Sequence, residues 1–143
     1  MKQILQIAVP AKYFFHRIVE LTLYEIQQQT GQRLNASQLK DFSFKRKNAN
    51  GTVSRITIKT YEPNKRYAYR IQTGHSEHEV IYKVKPLSGQ RIRLIYEEKL
   101  LGKRNRFAKP ISKFLTKLIR KRKFRKLKRQ MEANYIQQES HKR

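Results

Sequence analysis

The segment between residues 42 and 98 alternates apolar and polar side chains in five short stretches that turn signals separate. The Asn50-Gly51 pair is typical of a tight hairpin. Further turns are indicated from Glu62 to Lys65, at Gly74 and from Pro86 to Gly89. Alternation with a period of two residues indicates strands that have one buried face, and short connections join antiparallel neighbours. The segment therefore predicts an antiparallel meander of five strands.

One further strand and two helices flank this meander. Residues 2–9 alternate up to Pro10 and predict a strand, and apolar residues then recur at helical spacing over 11–29, before Gly31. A short helical piece is predicted at 35–40, and a long helix over 103–137. An antiparallel sheet with one buried face must be covered, and the terminal helix is the longest element available. We expect one α+β domain over 1–143, in which about six strands curve around the C-terminal helix.

The terminal helix carries two apolar stripes on almost opposite sides. At about 100° per residue, Ile111, Leu115 and Leu118 share one side. The second stripe consists of Phe124, Leu127, Met131 and Tyr135. Because a straight helix cannot pack both stripes against the same sheet, we expect either a kink near residues 120–123 or a first stripe that faces something other than the domain's core.

The charge of the chain is strongly positive, with 34 basic and 10 acidic residues and a net charge of +24. It is most concentrated between Lys103 and Arg129, which hold 14 basic residues and no acidic one. Such a field attracts polyanions. Three interpretations of the basic helix stay open: a solvated helix whose long stems cover apolar surface, an interfacial helix on an anionic membrane, and a set of phosphate contacts to nucleic acid.

The membrane interpretation explains the change of stripe as well as the charge. A dimer formed through Ile111, Leu115 and Leu118 would bury the first stripe without any membrane. The residues predicted to contact an anionic surface are Lys113, Lys117, Arg120, Lys121, Lys123, Arg125 and Lys128.

Motifs for catalysis or metal binding are missing from the sequence. The chain has no cysteine, which excludes disulfides, thiolate catalysis and Cys-ligated zinc. His75 and His78 are three residues apart near a predicted strand, where odd spacing sends side chains to opposite faces, and the same holds for the adjacent Glu97 and Glu98. We therefore expect a non-catalytic protein without cofactor or metal. Neither a signal peptide nor an apolar run of about 18 residues is recognisable, so the expected location is cytoplasmic, with peripheral membrane association as an option.

The opening VPAKYFFHRI, the hairpins and the terminal FRKLKRQMEANY resemble the START-like, Bet v 1-like (SRPBCC) superfamily over nearly the whole chain. The chain looks most like a small family from low-GC Gram-positive bacteria that is a domain of unknown function. The resemblance implies a helix-grip fold with a cavity for a lipid or another apolar molecule between sheet and terminal helix; the alternative is that the same residues fill a closed core. The residues expected to line the cavity are Phe44, Ile58, Tyr67, Tyr69, Tyr82, Tyr96, Phe124, Leu127 and Met131.

Overall fold

The computed structural model describes residues 2–101 and 110–141, and the side chains of residues 2–101 and 122–140. The order of elements confirms the predicted strand, helix, five strands and long helix. The elements are β1 (Lys2–Ile7), α1 (Ala11–Thr30), a 3-10 helix (Ala36–Gln38), β2 (Ser43–Lys47), β3 (Val53–Glu62), β4 (Arg66–Thr73), β5 (Ser76–Leu87), β6 (Arg91–Leu101) and α2 (Pro110–His141).

The strands form one antiparallel sheet in the order β1-β6-β5-β4-β3-β2. Strands β2 to β6 are the predicted meander, and β1 extends the sheet beside β6. The turn between β2 and β3 contains Gly51 at a φ of 86°, a left-handed conformation that glycine adopts without strain. An irregularity in β3 between Ile58 and Thr60 shifts the register against β4. Irregularities of this kind bend a strand, and the sheet is curved.

Helix α1 begins at the predicted residue and ends at Thr30, one residue beyond the predicted end. Pro10 precedes it in an extended conformation, and Gly31 ends it at a φ of 75°. The backbone N–H of Gly31 donates a hydrogen bond of 2.8 Å to the carbonyl oxygen of Gln27, so one otherwise unpaired carbonyl of the last turn is satisfied.

The core lies on one face of the sheet, which we call the inner face. Alternation along the strands sends Phe44, Ile58, Tyr67 and Leu94 to this face, and all four are buried. Both helices pack against it, because the core that contains these strand residues also includes Phe14 of α1 and Met131 of α2. The predicted α+β helix-grip architecture is therefore confirmed.

Helix α2 is one helix from Pro110 to His141, so it extends beyond the predicted end at residue 137. The predicted start at 103 lies outside the described residues. Two members of the second stripe, Phe124 and Met131, are buried, and the other two, Leu127 and Tyr135, are half-buried against the core. The side chains of the first stripe lie outside the described part of the chain, so the proposed dimer through Ile111, Leu115 and Leu118 remains a prediction.

Candidate ligand-binding site

A cleft of about 570 Å³ lies between α2 and strands β4, β5 and β6. We call it the helix cleft. Its strand wall is mostly apolar and aromatic, and polar side chains of α2 stand at its rim. The lining residues are Tyr69, Ile71, Val80, Tyr82, Tyr96, Glu98, Lys123, Phe124, Lys126, Leu127 and Gln130.

A row of aromatic rings crosses the inner face of the sheet and reaches α2. The strand register places Tyr67 opposite Tyr82, and Tyr82 opposite Tyr96. The ring centroids of these pairs are 6.3 Å and 5.2 Å apart, and those of Tyr96 and Phe124 are 4.5 Å apart. Aromatic pairs at such spacings stabilise one another beyond the area that they bury. The row therefore holds the strand wall and α2 in a fixed relation.

The hydroxyl groups of two tyrosines in this row, Tyr67 and Tyr96, are hydrogen-bonded inside the protein. The hydroxyls of Tyr67 and Thr22 share a hydrogen bond of 3.1 Å, and Tyr96 donates one of 3.0 Å to Glu98 Oε2. The phenols of Tyr69 and Tyr82 lie close enough for each to influence the pKa of the other.

Burial raises the pKa of three of these phenols, because it disfavours the charged phenolate. The pKa of Tyr67 and of Tyr69 lies above its ordinary value, and that of Tyr82 lies well above it. These three hydroxyls are therefore neutral at physiological pH and offer a ligand hydrogen bonds rather than charge.

A second, smaller cleft of about 170 Å³ lies between α1 and the inner face of β2 to β5. We call it the α1 cleft. Arg46 and Glu25 form an ion pair in its wall, in which Arg46 Nη2 donates a hydrogen bond of 2.8 Å to Glu25 Oε2 and Arg46 Nε donates to Glu25 Oε1. Burial disfavours the charged guanidinium, but the hydrogen bonds and charge of Glu25 outweigh it, so the pKa of Arg46 is raised. Tyr69 and Tyr82 line both clefts and thus form the wall between them.

The residues that the sequence singled out as a cavity lining are distributed over the two clefts and the core. Phe44 and Tyr67 line the α1 cleft, whereas Tyr96, Phe124 and Leu127 line the helix cleft. Ile58 and Met131 lie in the closed core and line neither cleft. The shared wall is made of Tyr69 and Tyr82.

Several lining residues escaped the sequence reasoning. Val80 is on the same inner face as its neighbour Tyr82, so the alternation that identified Tyr82 could have identified Val80. No such signal exists for Lys126 and Gln130, because their position depends on how α2 is rotated against the sheet. The pairing of Glu25 with Arg46 also requires the tertiary structure.

The remaining polar candidates are at the surface. Lys123 and Arg125 are exposed and Lys128 is half-buried, while the side chains of Lys113, Lys117, Arg120 and Lys121 lie outside the described residues. The described residues contain no group of three His, Asp or Glu side chains that could hold a metal ion. Within the same residues, none of the helices is both long enough and apolar enough to cross a lipid bilayer.

Three solved structures share the architecture of this chain. A START superfamily protein from Mycobacterium smegmatis is 13% identical, with a TM-score of 0.65 over 93% of this chain and 97% of that one. The Aha1 dimer from Colwellia psychrerythraea is also 13% identical, with a TM-score of 0.57 over 92% and 95% of the two chains. DynU16, from the dynemicin biosynthetic locus, is 13% identical with a TM-score of 0.53, and the match covers 95% of this chain and 42% of DynU16.

These likenesses show that the fold is START-like, as the sequence resemblance predicted, and at such identities they show the fold alone. No curated protein matches the chain in sequence. The model of one protein family, described as "Domain of unknown function (DUF3284)", matches residues 1–120. The chain therefore belongs to the DUF3284 family.

Proposed function

We propose that the protein binds an apolar small molecule or a lipid in the helix cleft and catalyses no reaction on it. The observation that carries the proposal is the cleft of about 570 Å³ between an aromatic strand wall and α2. Small-molecule sites are typically concave spaces of roughly 300–1,000 Å³, mostly apolar, with a few polar groups that fix the ligand's orientation. The START-like fold supports the same function.

The chemistry of the lining favours an amphiphile with a negatively charged head. Ile71, Val80 and Leu127 offer apolar contact, and burial of each methylene group of a ligand stabilises the complex by about 0.8 kcal/mol. Lys123 and Lys126 are exposed at the rim, where they can meet an anionic head group without losing their own hydration. A fatty acid is the simplest molecule with both properties.

The exposed cations of α2 favour an anionic membrane as the source of such a molecule. Lys123, Arg125, Lys126 and Arg129 are exposed within two turns of α2, and no described side chain of this helix from Arg122 to Met131 is acidic. Each basic residue near an anionic leaflet contributes about 1 kcal/mol to binding. We infer that α2 rests on an anionic membrane and brings the mouth of the helix cleft to the lipid.

The proposal is tested by titrating the protein with a fluorescent fatty acid. Gln130→Trp places a large ring at the rim of the helix cleft, and Gln138→Trp places the same ring on α2 two turns away, about 12 Å along the axis. We expect at least about tenfold weaker binding for Gln130→Trp, equal to 1.4 kcal/mol, and unchanged binding for Gln138→Trp. Equal affinities of the two variants would exclude the helix cleft as the site. Native mass spectrometry of the purified protein would identify a ligand that remains bound.

A further inference from the structure

The face of the sheet opposite the helices is strongly basic. We call it the outer face. On its half nearest the β5–β6 turn, cations occupy adjacent positions on three neighbouring strands, where Arg66 lies opposite Lys83 and Lys85 lies opposite Arg93. Arg66, Lys85 and Arg93 are exposed, and none of the three forms an ion pair within the described part of the chain. We call these three residues, with Lys83, the outer basic patch.

Like charges in the outer basic patch are expected to destabilise the sheet. Side chains directly opposite one another on an antiparallel pair interact closely, and like charges in such positions are destabilising. Arg66 with Lys83 and Lys85 with Arg93 are two such pairs, and Lys45 with Arg55 is a third on the same face. Carboxylates approach only the first of these pairs: Glu97 lies 3.4 Å from Lys83, and Glu62 of β3 lies opposite Arg66. Within the described part of the chain, Lys85 and Arg93 form no ion pair. Glu77 approaches Arg70 at 3.9 Å, and Glu97 also approaches Lys99 at 3.9 Å.

Exposed apolar surface adjoins the outer basic patch. Ile4, on the edge strand β1, is 57% exposed and points to the outer face. It lies opposite Ile95, which in turn lies opposite Lys83. A strip of two isoleucines thus continues the row of Lys83 and Arg66 towards the sheet edge.

We propose that the outer face docks on an anionic membrane, with the outer basic patch contacting lipid phosphates and Ile4 contacting the acyl boundary. Cations beside exposed apolar side chains are the composition of an interfacial surface. Nucleic acid fits the same surface less well. All aromatic side chains of the described strands are on the inner face, so the outer face has none on which bases could stack. The curved sheet also presents no element that could enter a duplex groove.

This surface is separate from the helix cleft and from α2. Both helices cover the inner face, so the outer basic patch and the exposed cations of α2 are on opposite sides of the molecule. Membrane docking of the outer face therefore does not depend on whether the helix cleft binds a ligand.

Flotation with vesicles of phosphatidylcholine and phosphatidylglycerol tests the proposal with two variants of equal charge. Both are built on a parent in which Lys123→Gln, Arg125→Gln and Arg129→Gln remove exposed cations of α2, so that this helix no longer holds the vesicle. One variant combines Arg66→Gln, Lys85→Gln and Arg93→Gln. The control combines Lys12→Gln, Arg33→Gln and Lys40→Gln, three exposed cations on α1 and in the segment that follows it, which form no ion pair among the described residues. Both variants carry three positive charges fewer than the parent.

If the outer face docks, the first variant loses about 100-fold in vesicle partitioning, since each basic residue in contact contributes about a factor of five, and the control loses far less. Equal losses would show that only the overall field matters and would overturn the proposal. The same conclusion would follow if the first variant kept its vesicle binding but lost affinity for a DNA duplex.

Fatty-acid binding by the first variant is expected to be unchanged, which separates this test from that of the cleft. Thermal unfolding confirms that both variants fold, and removal of like-charge pairs predicts no loss of stability in the first.

Discussion

Glu132 of α2 accepts a hydrogen bond of 2.7 Å from the backbone N–H of Ala8, in the connection between β1 and α1. One turn further along, the ring of Tyr135 packs edge-on against Tyr13 at 5.0 Å and its hydroxyl donates to Gln90 at 3.0 Å. The C-terminal half of α2 is therefore attached to three separate places in the chain. These attachments keep α2 over the sheet while the helix cleft remains open beside it.

Glu132→Ala is expected to lower the free energy of unfolding by about 1 kcal/mol, the typical net value of a hydrogen bond that is partly open to solvent. The reason is that the backbone N–H of Ala8 loses the carboxylate that accepts its hydrogen bond. Urea denaturation measures the change, and Gln138→Ala, an exposed substitution on the same helix, serves as the control. A stability equal to that of the control would show that the contact does not fasten α2.

Alkaline pH is expected to destabilise the protein through its buried tyrosines. The pKa values of Tyr67, Tyr69 and Tyr82 are raised by burial, so above a pH of about 10 the unfolded chain loses these protons while the folded protein keeps them. The stabilisation is thus fully present below the ordinary pKa of tyrosine and disappears as the pH rises through the folded values. Urea denaturation at a series of pH values up to about 11 should show a fall in stability, coincident with late-appearing tyrosinate absorbance.

Tyr82→Phe is the variant that identifies the source of this effect. It retains the ring but removes one of the three titrating hydroxyls, so its stability should fall less steeply above a pH of about 10. Tyr24→Phe, at an exposed position, provides the comparison. Identical slopes in the two variants would contradict the assignment to the buried phenols.

The ion pair of Glu25 and Arg46 is expected to show coupling in a double-mutant cycle. The side chains are 32% and 29% exposed, so solvent screens the pair in part, and we expect a coupling free energy of about 1 kcal/mol between Glu25→Ala and Arg46→Ala. Additive effects of the two substitutions on urea denaturation would mean that the pair contributes packing only. The exposed pair of His16 and Glu20, whose nitrogen and oxygen are 2.7 Å apart, should give a smaller value and serves as the reference.

Two basic surfaces on opposite sides of the molecule should let it hold two membranes at once. We expect the parent protein to cluster anionic vesicles, which light scattering measures. Neutralising Lys123, Arg125 and Arg129 on α2, or Arg66, Lys85 and Arg93 on the outer face, should abolish clustering while one side still binds. Persistent clustering by a variant lacking both sets of charges would show that neither surface is responsible.

The sequence predicted the fold well because its strongest signals are local. Alternation along β2 to β6 and the turn at Asn50-Gly51 act over a few residues, and they were sufficient to predict the five strands of the meander and the inner-face tyrosines. The two clefts were not predictable in the same way. Their walls combine α1, α2 and the sheet, and the rotation of a helix about its own axis decides whether Lys126 or a neighbour reaches the rim. The outer basic patch was missed because only the strand register reveals which cations face each other.

The position of Tyr69 and Tyr82 between the clefts has a consequence for ligand size. A short acyl chain would end against these two rings, whereas a longer one would have to displace them to enter the space beside Glu25 and Arg46. Displacing the two rings costs free energy once, at one chain length, so affinity should rise with added methylenes, level off, and then rise again. The two tyrosines would thus set the length of acyl chain that the helix cleft accepts without rearrangement.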